Sequence, residues 1–111
     1  MKSPPCYYKY ITDFTRYVTT PGCWDSMQIE AYNAAVCDPI PFSYMKCVVQ
    51  AAGLLNSDGS FNDAAFKTTT LQNKCSSDTA FSTAYQSCSN STMKYMNYPR
   101  LFVCLGYGGI Y

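Results

Sequence analysis

Apolar residues recur along the chain at the spacing of a helix face. Between residues 6 and 18, Tyr7, Tyr10, Ile11, Phe14 and Val18 stand at i, i+3, i+4, i+7 and i+11, which predicts a helix with one buried stripe. Thr19-Thr20-Pro21-Gly22 ends it. A second helix is predicted from Asp25 or Ser26, either of which can cap it, with Ile29, Tyr32 and Val36 on one side. It stops before Asp38-Pro39-Ile40-Pro41. The third runs from about Phe42 to Leu55, places Tyr44, Cys47, Val48, Ala51 and Leu55 on one face, and has a single charge, Lys46. It is expected to be the most buried helix.

Asn56-Ser57-Asp58-Gly59-Ser60 reads as a turn of short polar side chains closed by glycine. Asn62 or Asp63 caps a fourth helix to about Lys74, with Phe66 and Leu71 as its larger apolar residues. Ser77 or Asp78 opens a fifth, in which Ala80, Ala84 and Cys88 share a face and Phe81 lies beside Tyr85. Residues 91–105 are interrupted by Pro99, giving either two short helices or a kinked one. Gly106 to Tyr111 is a glycine-rich tail. No segment sustains period-2 alternation, so the class is all-α, about six short helices in one domain over residues 1–111.

Cysteine usage adds cross-links to this picture. The seven cysteines are Cys6, Cys23, Cys37, Cys47, Cys75, Cys88 and Cys104, and the closest two are ten positions apart. No zinc-ribbon spacing occurs, and wide dispersal in a small chain reads as disulfides formed in an oxidising compartment. Seven is odd, so at most three bridges form and one thiol stays free or pairs between chains. Cys23 and Cys37 flank the second predicted helix. If all fourteen residues were helical they would lie about 21 Å apart, so they can pair only if that helix is short and the chain folds back. Asn90-Ser91-Thr92 is an N-glycosylation sequon, compatible with secretion. Met1-Lys2-Ser3-Pro4-Pro5 has no apolar run behind it, so a secreted form would be the mature chain. No run is long enough for a membrane span.

The chemistry on offer is thin. There is no histidine, which removes the commonest general base and the commonest zinc ligand. The net charge of +1 argues against a nucleic-acid partner. Most of the seven carboxylates sit where caps and turns select Asp. The turn around Asp58 lacks the acidic repeat and terminal Glu of a calcium loop. The Gly106–Gly109 stretch follows no strand and opens no helix, so it is no phosphate loop. No catalytic residues, metal site or cofactor are therefore expected. Eleven Tyr, six Phe and one Trp are many for 111 residues. They either fill the core or line a pocket for an apolar ligand.

Residues 43–88 carry a resemblance. Tyr44-Met45-Lys46-Cys47-Val48-Val49-Gln50-Ala51-Ala52-Gly53-Leu54-Leu55-Asn56-Ser57-Asp58-Gly59-Ser60-Phe61-Asn62 resembles the third helix and following turn of the arthropod odorant-binding proteins. Lys74-Cys75 and the stretch Asp78-Thr79-Ala80-Phe81 to Tyr85-Gln86-Ser87-Cys88 resemble that family's fourth cysteine and its fifth helix. Ser43 and Thr79 occupy the places of the family's second and fifth cysteines, which pair with each other there, as in its "C-minus" members. The resemblance implies a Cys75–Cys88 bridge and a partner for Cys47 on the first helix. The family's first cysteine would fall near Arg16 or Tyr17; Cys6 lies about three turns earlier.

The resemblance also implies a bundle around a small apolar cavity and a secreted, extracellular carrier. Its ligands would be small hydrophobic molecules (odorants, pheromones, fatty-acid-like compounds), bound without catalysis and without membrane insertion. The expected lining is Tyr10, Phe14, Met27, Tyr44, Val48, Phe66, Leu71, Phe81, Tyr85, Leu101 and Phe102. Tyr107 to Tyr111 is a candidate cover for that cavity. The alternative is a salivary or venom-type effector on the same scaffold. It would scavenge host small molecules or block a host protein, and an amine binder would draw on Asp13 and Glu30. A filled-core protein acting through its surface is the other option. The chain is expected to be a monomer or weak dimer, with the odd cysteine available for an intermolecular bridge.

Overall fold

The computed structural model describes residues 2–26 and 31–106. Met27, Ile29, Glu30 and the tail Tyr107–Tyr111 lie outside the described residues. The described chain is all-helical, in eight α-helices and one 3-10 turn. Its one β feature is an isolated antiparallel bridge, Leu55 to Phe61, across the Asp58-Gly59 turn. None of the helices is long and apolar enough to cross a membrane.

The predicted first helix is two. Ser3 caps α1 (Pro4–Lys9), accepting from the Cys6 amide, and Pro4 and Pro5 occupy its first turn, where a missing N–H costs nothing. Tyr10 leaves helical geometry, and α2 (Ile11–Thr19) starts at a new angle. The stripe shifts with it: Tyr17 is the buried residue of α2, whereas Ile11 is exposed.

Among the described residues, the predicted second helix is represented by a 3-10 turn (Trp24–Ser26) and α3 (Ala34–Cys37), capped by Asn33, with residues 31–33 outside any helix. The reason is covalent. Cys23 and Cys37 are bridged with their Cα atoms 5.4 Å apart, a distance a continuous helix between them forbids. Val36, placed on the apolar side by periodicity, is exposed.

The third predicted helix is α4 (Phe42–Ala51), and Met45, Val48 and Val49 are its buried face. Ala51, expected on that face, is exposed, and Tyr44 and Cys47 are half-buried. Gly53, at φ +75°, turns the chain out of the helix while Leu54 donates back to Val49 O at 3.0 Å. Only glycine takes that conformation without strain.

Asn62, not Asp63, caps α5 (Asp63–Thr69), its side chain accepting from the Ala65 amide. The helix stops before Lys74 because Gln72 and Asn73 take positive φ. Lys74 instead opens α6 (Lys74–Ser77). Of the two candidates Ser77 and Asp78, Asp78 caps α7 (Thr79–Thr92). The segment around Pro99 resolves as the end of α7 and a separate helix, α8 (Tyr98–Cys104), with Asn97 as cap and Pro99 in its first turn.

Three bridges tie these short helices together: Cys6–Cys47 joins α1 to α4, Cys23–Cys37 closes the loop before α3, and Cys88–Cys104 joins α7 to α8. Helices of four to fourteen residues are marginal on their own, so cross-linking and burial hold them. The expected Cys75–Cys88 bridge is corrected: Cys88 takes Cys104, and Cys75 is the free thiol. Cys47 does find its partner on the first helix, at Cys6.

Candidate functional site

The expected cavity residues separate into two groups. Val48, Phe66, Leu71, Tyr85, Leu101 and Phe102 are buried in the main core. Phe66 sits at its centre, with ring centroids 5.3 Å from Phe61, 5.8 Å from Phe102 and 6.1 Å from Tyr85. These are packing distances, and the rings fill the space between α5, α7 and α8. Phe81 is half-buried beside this group, under the Lys74 ammonium.

Tyr10, Phe14 and Tyr44 belong to the other side of the molecule and are half-buried. There the aromatic rings form a continuous belt. Tyr8 meets Tyr7 edge to face at 5.5 Å, and Tyr7 meets Phe14 at 5.5 Å. Phe14 lies 5.0 Å from Tyr44 and 6.1 Å from Trp24, and Trp24 contacts the buried Tyr17 at 5.8 Å. Each such pair adds about 0.5–1.5 kcal/mol beyond its buried area.

The belt opens to solvent at a cleft of about 240 Å³ lined by Lys2, Ser3, Pro4, Tyr7, Tyr8 and Tyr44. Its position follows from the first bridge. Cys6 is next to Tyr7, and Cys47 lies one turn after Tyr44, so Cys6–Cys47 clamps the two walls together. Tyr44 is also hydrogen-bonded to Tyr98, whose phenol is pushed above its ordinary range by burial and by that neighbour. Tyr8 is 73% exposed, and its ring rests against Tyr7.

Between the belt and α8 lies a buried polar network. Asp38 Oδ1 accepts from Tyr32 Oη and, at 2.9 Å, from Asn97 Nδ2; Oδ2 accepts from Arg100 at 2.7 Å. Asn97 also donates to Tyr17 Oη at 3.0 Å, and the Tyr17 and Tyr32 hydroxyls are 3.0 Å apart. Arg100 stacks over the Tyr32 ring, 4.3 Å from its centroid. Burial raises the phenol pKa of both Tyr17 and Tyr32, and for Tyr32 the adjacent Asp38 raises it further. Both carboxylate oxygens are used inside the protein, so the network orders the fold and leaves little for a ligand.

Asp38 is the buried carboxylate that periodicity missed, since Asp-Pro reads as a turn. Asp13, offered for an amine ligand, is half-buried in the first turn of α2. Its partner in that expectation, Glu30, lies outside the described residues, as does Met27. Of the cleft residues only Tyr44 was in the expected lining; Lys2, Ser3, Pro4, Tyr7 and Tyr8 were not, and the position of Tyr7 and Tyr8 beside Cys6, on a helix opened by two prolines, was the available signal.

No protein-family model, no curated protein and no solved structure matches the chain.

Proposed function

We propose that the chain is a secreted, non-catalytic carrier of small hydrophobic molecules on a scaffold related to the odorant-binding proteins. It takes its ligand at the aromatic cleft between α1 and α4. One observation carries this reading: an open cleft whose walls are Tyr7, Tyr8 and Tyr44, backed by Phe14 and clamped by a disulfide. Aromatic faces supply apolar contact at low entropic cost, while the tyrosine hydroxyls and Lys2 at the rim offer a few orienting polar groups. A volume of about 240 Å³ suits a small, flat molecule. Three disulfides support the extracellular route, because such bridges persist in oxidising compartments. Cys47 pairs on the first predicted helix, though at Cys6 and not near Arg16 or Tyr17 where the resemblance would put the partner, and Cys88–Cys104 departs from the resemblance.

The test is titration with N-phenyl-1-naphthylamine, followed by competition with aromatic alcohols and fatty acids. Saturable uptake is expected, displaced by the competitors. Tyr8→Ala is expected to weaken it about tenfold, about 1.4 kcal/mol, and Tyr8→Phe to restore it. The exposed Tyr8 is dispensable for folding, so loss in that variant reports on the cleft. Absence of saturable uptake, or uptake indifferent to Tyr8→Ala, overturns the assignment.

A further inference from the structure

We propose that Asn90 is the acceptor of an N-linked glycan and that the glycan lies on the α7 face. The proposal rests on the secretory route of the preceding reading, though not on ligand binding. The sequon Asn90-Ser91-Thr92 forms the last turn of α7, and Asn90 is exposed there. Its carboxamide oxygen accepts from Gln86 Nε2 at 3.1 Å. That leaves Nδ2, the atom to be modified, without a bond among the described residues.

The surroundings suit a large neutral substituent. Asn90 borders two surface depressions, a shallow open one along Lys67, Ser82, Thr83, Gln86 and Ser87, and one of about 250 Å³ beside Asp38, Lys94 and Tyr95. α7 itself carries no charged residue over its fourteen positions, so a sugar chain lying on it meets mainly hydroxyls and amides, which cost less to desolvate than ions, with Lys67 and Lys94 at its edges.

In the transfer step, Asn90 Nδ2 attacks the anomeric carbon of a lipid-pyrophosphate-linked oligosaccharide. The N–C bond forms as the C–O bond to the pyrophosphate breaks. The lipid pyrophosphate leaves with that electron pair, and Nδ2 loses one proton to solvent. In the fold the Thr92 hydroxyl is buried and donates to Cys88 O at 2.7 Å. Transfer must therefore occur while the last turn of α7 is still open.

The experiment is expression of the full chain behind a cleavable secretion leader in a eukaryotic host, beside Asn90→Gln and Thr92→Ser. Disulfide-bonded protein from medium and cells together is treated with peptide N-glycosidase, and residue 90 is read by peptide mass spectrometry. Wild type and Thr92→Ser are expected to migrate slowly, to fall to the mobility of Asn90→Gln on treatment, and to show deamidation at position 90. Asn90→Gln alters an exposed side chain bonded to Gln86 alone and is expected to melt with the wild type. Unmodified Asn90 in the disulfide-bonded wild type overturns the proposal. Probe uptake measured on the same samples separates failure of the carrier reading from failure of this one.

Discussion

Asp38 accepts on both oxygens from inside the protein, from Tyr32 and Asn97 on one and from Arg100 on the other. A buried charge is tolerable only when paired and hydrogen-bonded this completely. Asp38→Ala leaves the Arg100 guanidinium without its counter-charge and removes the acceptor that Tyr32, Asn97 and Arg100 share. It is expected to cost about 3–5 kcal/mol, read as a shift in the urea midpoint with the disulfides intact. The tyrosines make a second residue-level prediction. Burial raises the phenol pKa of Tyr17, Tyr32, Tyr85 and Tyr98, with Asp63 acting further on Tyr85. The fold thus favours the neutral phenols, and their contribution is complete below the unfolded value of about 10. Raising the pH beyond that draws protons from the unfolded chain first, so stability falls. In an alkaline titration the phenolate absorbance is expected to stop short of eleven tyrosines until the chain unfolds.

At the scale of elements, the helices are too short to persist alone, and their bridges decide how they meet. The Cys6–Cys47 loop spans 41 residues and Cys88–Cys104 spans 16. On loop-closure entropy, replacing both cysteines of the first pair by serine is expected to cost about 4 kcal/mol, and of the second about 3 kcal/mol. Cys75→Ser leaves all three bridges in place and is expected to change the melting midpoint little. Non-reducing peptide mapping checks the pairing, and a single reactive thiol in the denatured chain, lost in Cys75→Ser, checks the free cysteine. Local signals served some elements well. Asp78 was visible as a candidate cap for α7 and Asn62 as a candidate for α5, because a cap depends on its own side chain and an amide three residues on. The break at Tyr10 and the shortening of the second helix were not visible in periodicity. One depends on how α1 docks on α4, the other on a bridge between residues 14 apart.

Across the whole molecule, the Cα radius of gyration is 13.7 Å, close to the ~13 Å of a chain this size. The aromatic content divides between a packed centre around Phe66 and a belt that reaches solvent at Tyr8. Release from the belt has no histidine to trigger it. Probe affinity is expected to stay nearly flat between about pH 8 and about pH 5.5, the window in which imidazole titrates; equilibrium titrations across that range check it. Of the eleven expected cavity residues, six went into the packed core, because hydrophobicity records a preference for burial and is silent on whether the buried face meets a cavity or another side chain. The sequence by itself determined the helical class, the turns, the candidates for two of the caps and the oxidised chemistry, since each rests on residues a few positions apart or on composition. Tertiary structure alone decided which cysteines pair, where Asp38 finds its partners and which rings reach the surface. Those depend on distances between elements, and local periodicity carries no measure of them.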